Sequence, residues 1–233
     1  MQRYFAVLKK DNRFELDSSD IHHIINVMRM KSGDFIEVVF DKLLYKCQLD
    51  SFMNVNIIEE LNNGIDNNIE IVLIVPVLKE QKMDLILQKA TELGVSRIIP
   101  IITERTVVKL NDKELKKIDR WRRIVKEASE QCKRVTIPIV EHVYKIDDLN
   151  FSDGVKFVCS TIENKKNIKN VMHSIKECDR MYIVVGPEGG LSTLEECKLN
   201  DLGFVSISLG NRIMRVETVP LFILSIISYE LME

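Results

Sequence analysis

The stretch VVGPEGGLSTLEE, Val184 to Glu196, sets three glycines, a proline and a glutamate between an apolar run and a helix start, in a chain with nine glycines among 233 residues. Ser192 and Glu195 have capping-box spacing, so a helix is expected to begin at Ser192. Gly189 and Gly190 can take positive φ or admit close backbone approach, and Pro187 stiffens the entry. A phosphate cradle would need Gly-Lys-Ser/Thr, and a dinucleotide turn would need Gly-x-Gly-x-x-Gly. The loop has neither. Glu188 would repel a phosphate and suits a ligand with hydroxyls or positive charge. The simpler alternative is a plain strand–turn–helix connection.

A second stretch, LGNRIMRVETV from Leu209 to Val219, closes the last predicted strand and opens the final helix. Ile213 and Met214 are apolar residues inside a loop, flanked by Arg212 and Arg215, and argue for a pocket with an aromatic or sulfur-bearing guest. Glu217 falls in the first helical turn, where a carboxylate meets the positive end of the dipole. It can equally be a helix-start acid, with the arginines solvated.

These loops need a scaffold that brings strand ends together. From Ile69 the chain alternates buried-type strands (IEIVLIVPVL, SRIIPIIT, VKFVCS, MYIVVG, FVSISLG) with helices such as KMDLILQKATELG and KELKKIDRWRRIVKEASEQCKR. That alternation predicts a mostly parallel sheet with helices on both faces, whose ligands sit at the carboxyl ends of the strands. The last helix, about Glu217 to Glu230, is apolar nearly all round, as for a core helix or a dimer face. Before residue 61 the grammar differs: YFAVL, DFIEVVF, LLYKCQL and VNIIEE are short strands interleaved with one helical segment, SSDIHHIINVMRM. They predict a small β-barrel. The stretch LNNGIDNNIE at 61–70, with four asparagines and a glycine in its first eight positions, marks the boundary. The expected domains are therefore 1–66 and 70–233.

Composition narrows the classes. The chain is 45% hydrophobic and 29% charged, as for a folded globular protein, and its net charge of −2 gives no global basic field. Any nucleic-acid contact must come from a local patch. The five cysteines never form Cys-x-x-Cys, which argues against a structural zinc site and a secreted disulfide framework. No run approaches the roughly 18 apolar residues of a membrane span, and the N-terminal residues have no apolar signal core, so a cytoplasmic protein without metal is expected.

Taken together, GPEGGLSTLEE and LGNRIMRVET at this spacing resemble the knotted (SPOUT-class) methyltransferases that methylate N3 of a uridine in small-subunit (16S) ribosomal RNA. The similarity covers almost the whole chain. RYF and HHIINVMRMKSGD look like that family's N-terminal barrel, related to the PUA RNA-binding fold; KEQKMDLILQKATELGV, TERTVVKL and RWRRIVKEASEQCKR look like its methyltransferase domain. Val216 and Val219, Lys133, and Lys42 after Asp41 depart from the family pattern, which favours small residues or glycine there.

The resemblance implies a trefoil knot, S-adenosylmethionine as cofactor, a homodimer and small-subunit ribosomal RNA, naked or assembled, as substrate. It implies that the cofactor is held by Ser160, Thr161, Gly186, Pro187, Glu188, Gly189, Gly190, Leu209, Gly210, Ile213, Met214 and Thr218. Arg215 is expected to hold charge developing on the base, with Glu217 as general base or as the residue that orients Arg215. Arg3, Arg29, Lys31, Arg105 and Arg134 are the expected RNA contacts, while Trp121 reads as core and the helix cations around it as a solvated face. A knotted methyltransferase of another RNA, or a non-catalytic RNA-binding protein, are the rival readings. Intact cofactor loops speak against the second.

Overall fold

The computed structural model describes residues 1–61, 69–108, 114–174 and 178–230. Most of the boundary stretch, residues 62–68, lies outside the described residues. By their contacts the residues form two compact units, Met1–Asp66 with Ser129–Thr136, and Asn67–Ala128 with Ile137–Glu233.

The first unit holds β1 (Arg3–Phe5), β2 (Leu8–Lys10), β3 (Arg13–Glu15), α1 (Ser18–His22) running into a π-helical turn (His23–Val27), β4 (Phe35–Phe40), β5 (Leu43–Leu49) and β6 (Val55–Leu61). Its sheet order is β1-β4-β5-β6-β3-β2, parallel at β1/β4 and antiparallel elsewhere. The two edge strands, β1 and β2, are separated in sequence only by Ala6 and Val7, so the sheet must curl until its edges meet at that corner. The predicted small barrel thus takes the form of a half-barrel. Period-two alternation puts Ile36, Val38, Tyr45, Cys47 and Leu49 inside it, against Tyr4, Phe14 and Ile24. Asp17 caps α1 by accepting from the Asp20 amide at 2.9 Å.

The second unit runs β7 (Glu70–Pro76), α2 (Glu80–Glu92), β8 (Arg97–Ile102), α3 (Glu114–Gln131), β9 (Ile139–Val140), β10 (Tyr144–Lys145), a 3-10 turn (Ile146–Asp148), β11 (Val155–Cys159), α4 (Ile168–Ser174), β12 (Arg180–Val185), α5 (Thr193–Asp201), β13 (Val205–Ile207) and α6 (Thr218–Glu230). The sheet is all parallel in the order β10-β8-β7-β12-β11-β13, with β9 also on β8. Central β7 is covered on both faces. Ile71, Leu73 and Val75 join Met83, Ile86 and Ile223 on one side; Val72 and Ile74 join Leu191, Leu199 and Phe204 on the other. A strand with no solvent face has no reason to alternate, which is why its sequence is a continuous apolar run. Trp121 is buried in the first of these clusters, as expected for a core residue. No described helix is long and apolar enough to cross a membrane.

Candidate functional site

Three loops leave the carboxyl ends of the neighbouring strands β11, β12 and β13. In the β12 loop the glycines serve different needs. A Cβ on Gly186 would stand 3.0 Å from the Leu191 amide, so the turn closes only without one, and Gly190 takes φ +72°. Ser192 caps α5 as the sequence indicated, with Glu195 Oε2 accepting from the Ser192 amide at 2.8 Å. The other oxygen, Glu195 Oε1, accepts from the Glu104 amide at 2.7 Å and so pins the loop after β8 to the start of α5. That brings Arg105 alongside the glycines: its Nη1 donates to the Gly189 carbonyl at 2.6 Å, and its Cδ lies 3.2 Å from where a Gly189 Cβ would be.

The loops enclose a cavity of about 350 Å³, lined by Thr161, Gly186, Pro187, Glu188, Gly190, Ile213, Met214 and Arg215 among others. A second cavity of about 320 Å³ takes in Ser160, Leu209 and Gly210 and shares Cys159, Thr161, Ile213, Met214 and Val219 with the first. Ile213 is 85% exposed although apolar, which leaves it free to wall a guest. Buried Ser160 donates to Glu196 Oε1 at 3.1 Å, turning that carboxylate along the first cavity. Cys159 lies between the two cavities, and burial pushes its thiol up to about 12. Of the expected cofactor residues, Gly189 and Thr218 line neither cavity. Gly189 faces Arg105, and exposed Thr218 opens α6.

The residue the sequence did not single out is Lys82, on α2. Its Nζ donates to Glu188 Oε1 at 2.9 Å and stands 3.3 Å from Glu217 Oε2, so one ammonium serves carboxylates of two loops. Both partners raise the Lys82 pKa, the Glu188 hydrogen bond most. Burial is the largest influence and would raise the Glu188 carboxyl, but the Lys82 hydrogen bond, the backbone hydrogen bond and the charges of Lys82 and Lys79 together hold the group below its usual range. The positive charge that Glu188 was expected to meet is thus at least in part the protein's own. Glu217 is held by the same ammonium: among the described residues its carboxylate is joined to Lys82, and no ion pair or hydrogen bond links it to Arg215. Its Oε2 is buried and, beyond the ion pair, makes no hydrogen bond among the described residues.

The expected RNA contacts divide. Arg29 and Lys31 are exposed in the first unit, and Arg105 is exposed beside the glycine loop. Arg3 is corrected: it is 7% exposed, its Nε pairs with Glu37 Oε2 at 2.9 Å, and its Nη1 donates to the carbonyls of Lys133 and Arg134. A guanidinium so buried and engaged fastens residues 133–134 to β1. Arg134 is half-buried and donates to Thr136 Oγ1 at 3.2 Å. Among the described residues no group of three or more His, Cys, Asp or Glu could hold a metal ion.

Residues 66–228 match the model of the RNA methyltransferase domain, and residues 16–51 that of the RNA methyltransferase PUA domain. Over 248 aligned residues, 99% of this chain and 97% of the relative, the sequence is 37% identical to the ribosomal RNA small subunit methyltransferase E of Bacillus subtilis. The enzyme of that name from Mesomycoplasma hyopneumoniae is 32% identical, covering 97% of this chain and 98% of its own length. A crystal structure of the Neisseria gonorrhoeae ribosomal RNA small subunit methyltransferase E bound to S-adenosyl methionine superposes with a TM-score of 0.85 at 26% identity, over 98% of this chain and 97% of that one. A PUA-type half-barrel and a parallel sheet with looped carboxyl ends in one chain are thus the architecture of an RNA methyltransferase. The chain belongs to the ribosomal RNA small subunit methyltransferase E family.

Proposed function

We propose that the chain transfers the methyl group of S-adenosylmethionine to N3 of a uridine in small-subunit ribosomal RNA. The observation that carries this is the convergence of the β11, β12 and β13 loops on cavities that combine apolar side chains, glycine backbone and carboxylates. Those residues fit the cofactor. Ile213, Met214 and Val219 offer an apolar wall for adenine and the methionyl chain, while the backbone of Gly186–Gly190 and Leu209–Met214 offers amides and carbonyls. When bound, the cofactor supplies an electrophilic methyl on a positively charged sulfur.

The chain's own residues do the rest. A uridine N3 must lose a proton before it can attack, and the charge then spreads over the neighbouring carbonyl oxygens. Arg215, exposed at the cavity rim, presents a planar fork of donors to those oxygens. Glu217, whose buried Oε2 has the Lys82 ion pair but no hydrogen bond, takes the N3 proton. Arg29, Lys31 and Arg105 hold the RNA backbone, consistent with a chain whose net charge of −2 requires a local patch. The enzyme works as a homodimer through the outer face of α6, where Phe222 and Tyr229 are exposed beside Ile168 and Met172 of α4. Its substrate, ribosomal RNA, puts it in the cytoplasm.

The test offers labelled S-adenosylmethionine with small ribosomal subunits, naked small-subunit RNA and transfer RNA, followed by digestion to nucleosides and mass analysis. The expected product is 3-methyluridine from the ribosomal substrates alone. Label in transfer RNA, or on another atom, would displace the substrate assignment; failure to bind the cofactor would overturn the enzyme assignment.

A further inference from the structure

Phe52 stands apart from the chain's other phenylalanines: it is 84% exposed, whereas the next most exposed, Phe35, is at 40%. It sits on the turn between β5 and β6, where a polar residue would meet the solvent at no hydrophobic cost. The turn is rigid. Asp50 Oδ1 accepts from the amides of Phe52 at 2.8 Å and Asn54 at 2.9 Å, and Asp50 Oδ2 accepts from Asn54 Nδ2 at 2.8 Å. The Met53 amide donates to the Asp50 carbonyl at 3.0 Å, and Met53 takes φ +61°. A side chain on a flexible tip could fold back onto the sheet, whereas this one is held out.

Its surroundings supply cations. The Gly33 amide donates to the Leu49 carbonyl at 2.8 Å and the Leu49 amide to the Asp34 carbonyl at 3.0 Å, which joins the end of β5 to the turn before β4. That turn carries exposed Lys31 and follows exposed Arg29, held at φ +53°. Its acid, Asp34, accepts from the Lys31 amide at 2.7 Å, so its carboxylate is turned onto its own backbone as Asp50's is. Next along the sheet, Lys46 Nζ lies 5.1 Å from the centre of the Phe35 ring. Lys46 also pairs with Glu59 Oε1 at 3.2 Å, so the cations left for phosphates are Arg29 and Lys31. Exposed rings with cations on a neighbouring turn form the combination that binds single-stranded nucleic acid: rings stack on bases, and cations follow the phosphates. A protein partner would favour a contiguous apolar patch, whereas the turn joined to the end of β5 brings Lys31 and, just before it, Arg29.

We propose that Phe52, on a turn next in the sheet to the one that carries Lys31 and follows Arg29, is a stacking subsite for an unpaired base of the RNA. The inference rests on the RNA methyltransferase assignment above, and it adds a ring-stacking contact to the charge contacts of the half-barrel. The test uses the full chain with two probes, a fluorescent single-stranded oligouridylate and small-subunit ribosomal RNA. Phe52→Ala should weaken binding of both by about five- to a hundredfold with an unchanged salt slope, whereas Lys31→Ala should reduce the slope by about one. S-adenosylmethionine binding should not change in either variant. Phe52→Trp should restore affinity, and its indole emission should be quenched by the oligouridylate over the constant background of buried Trp121. Wild-type affinity in Phe52→Ala, or an unquenched indole, overturns the stacking site and leaves the enzyme assignment standing. A loss of dimer mass in place of RNA affinity overturns it in favour of a contact between copies. If the wild-type chain binds neither RNA, both assignments fall.

Discussion

At the scale of single residues the site depends on a charge the sequence hides. Lys82 is 106 positions from Glu188, and nothing in the pattern of α2 sets it apart from Lys79 or Lys89; only tertiary folding brings it to both loops. The glycines and Ser192 were legible because local backbone chemistry dictates their types. Lys82→Ala leaves Glu188 and Glu217 facing each other without a cation, and about a tenfold loss in kcat/KM is expected, largely recovered in Lys82→Arg. Equal activity in Lys82→Ala would show that the ion pairs are incidental. Because the Glu188 pKa is depressed in the folded protein, its pair with Lys82 is fully present at neutral pH and is lost only as pH falls below the ordinary value of 4.5. Arg215→Ala should lower kcat by about a hundredfold or more, with S-adenosylmethionine affinity, measured by calorimetry, little changed. Cys159 is expected to be chemically quiet despite lining the cavity. With a thiol at about 12 it holds almost no thiolate at pH 8, so iodoacetamide should label exposed Cys197 first, as peptide mass analysis would report. Labelling of Cys159 at the Cys197 rate would contradict that.

At the scale of elements, what periodicity encodes was readable, and what pairing decides was not. The strands β7, β11 and β12 follow from apolar runs, and α2 from Met83, Ile86, Leu87 and Ala90 on one face. The two-residue strands β9 and β10 carry no pattern and exist because β8 offers an edge. They also explain how β8 tolerates Pro100. Their ladders engage Arg97–Ile98 and Ile101–Ile102, and so skip the position that lacks an amide hydrogen. Two departures from the resembled family's pattern also acquire a physical meaning here. Lys133 has φ +65°, and the hairpin between β4 and β5 turns through Asp41 at φ +52° and Lys42 at φ +64°, a backbone that favours glycine. Lys42→Gly should therefore raise stability by about 0.5–1 kcal/mol, read from the urea midpoint at constant slope. A lower midpoint would mean that the lysine's own contacts outweigh its backbone strain.

At the scale of the whole molecule, the domain boundary read from composition is only part of the division, because Ser129–Thr136 belongs to the first unit by its contacts. Nothing in CKRVTIP announces this. The attachment consists of side chains from distant parts of the chain: Arg3 donating to the carbonyls of Lys133 and Arg134, Lys133 paired with Glu37 at 3.3 Å, and Val135 packed against Val39 and Leu44. For Glu37, burial alone would raise the carboxyl, but the hydrogen bond from Arg3 and the charge of Lys133 hold it below its ordinary value. Its contribution is thus present above the carboxylate range and lost as pH falls through it. The chain enters the half-barrel twice, so a fragment ending at residue 66 is not the first unit. It lacks the two carbonyl acceptors of Arg3 and the apolar cover of Val135, a deficit of about 3 kcal/mol in a unit whose size allows only marginal stability. Expressed alone, residues 1–66 should show a broad, low-temperature unfolding transition and unprotected amides in β1 and β4, while the full chain protects both. Adding a covalently joined segment 129–136 should sharpen the transition. A fragment 1–66 that unfolds as cooperatively as the intact protein's first unit would show that the eight-residue return contributes no stability.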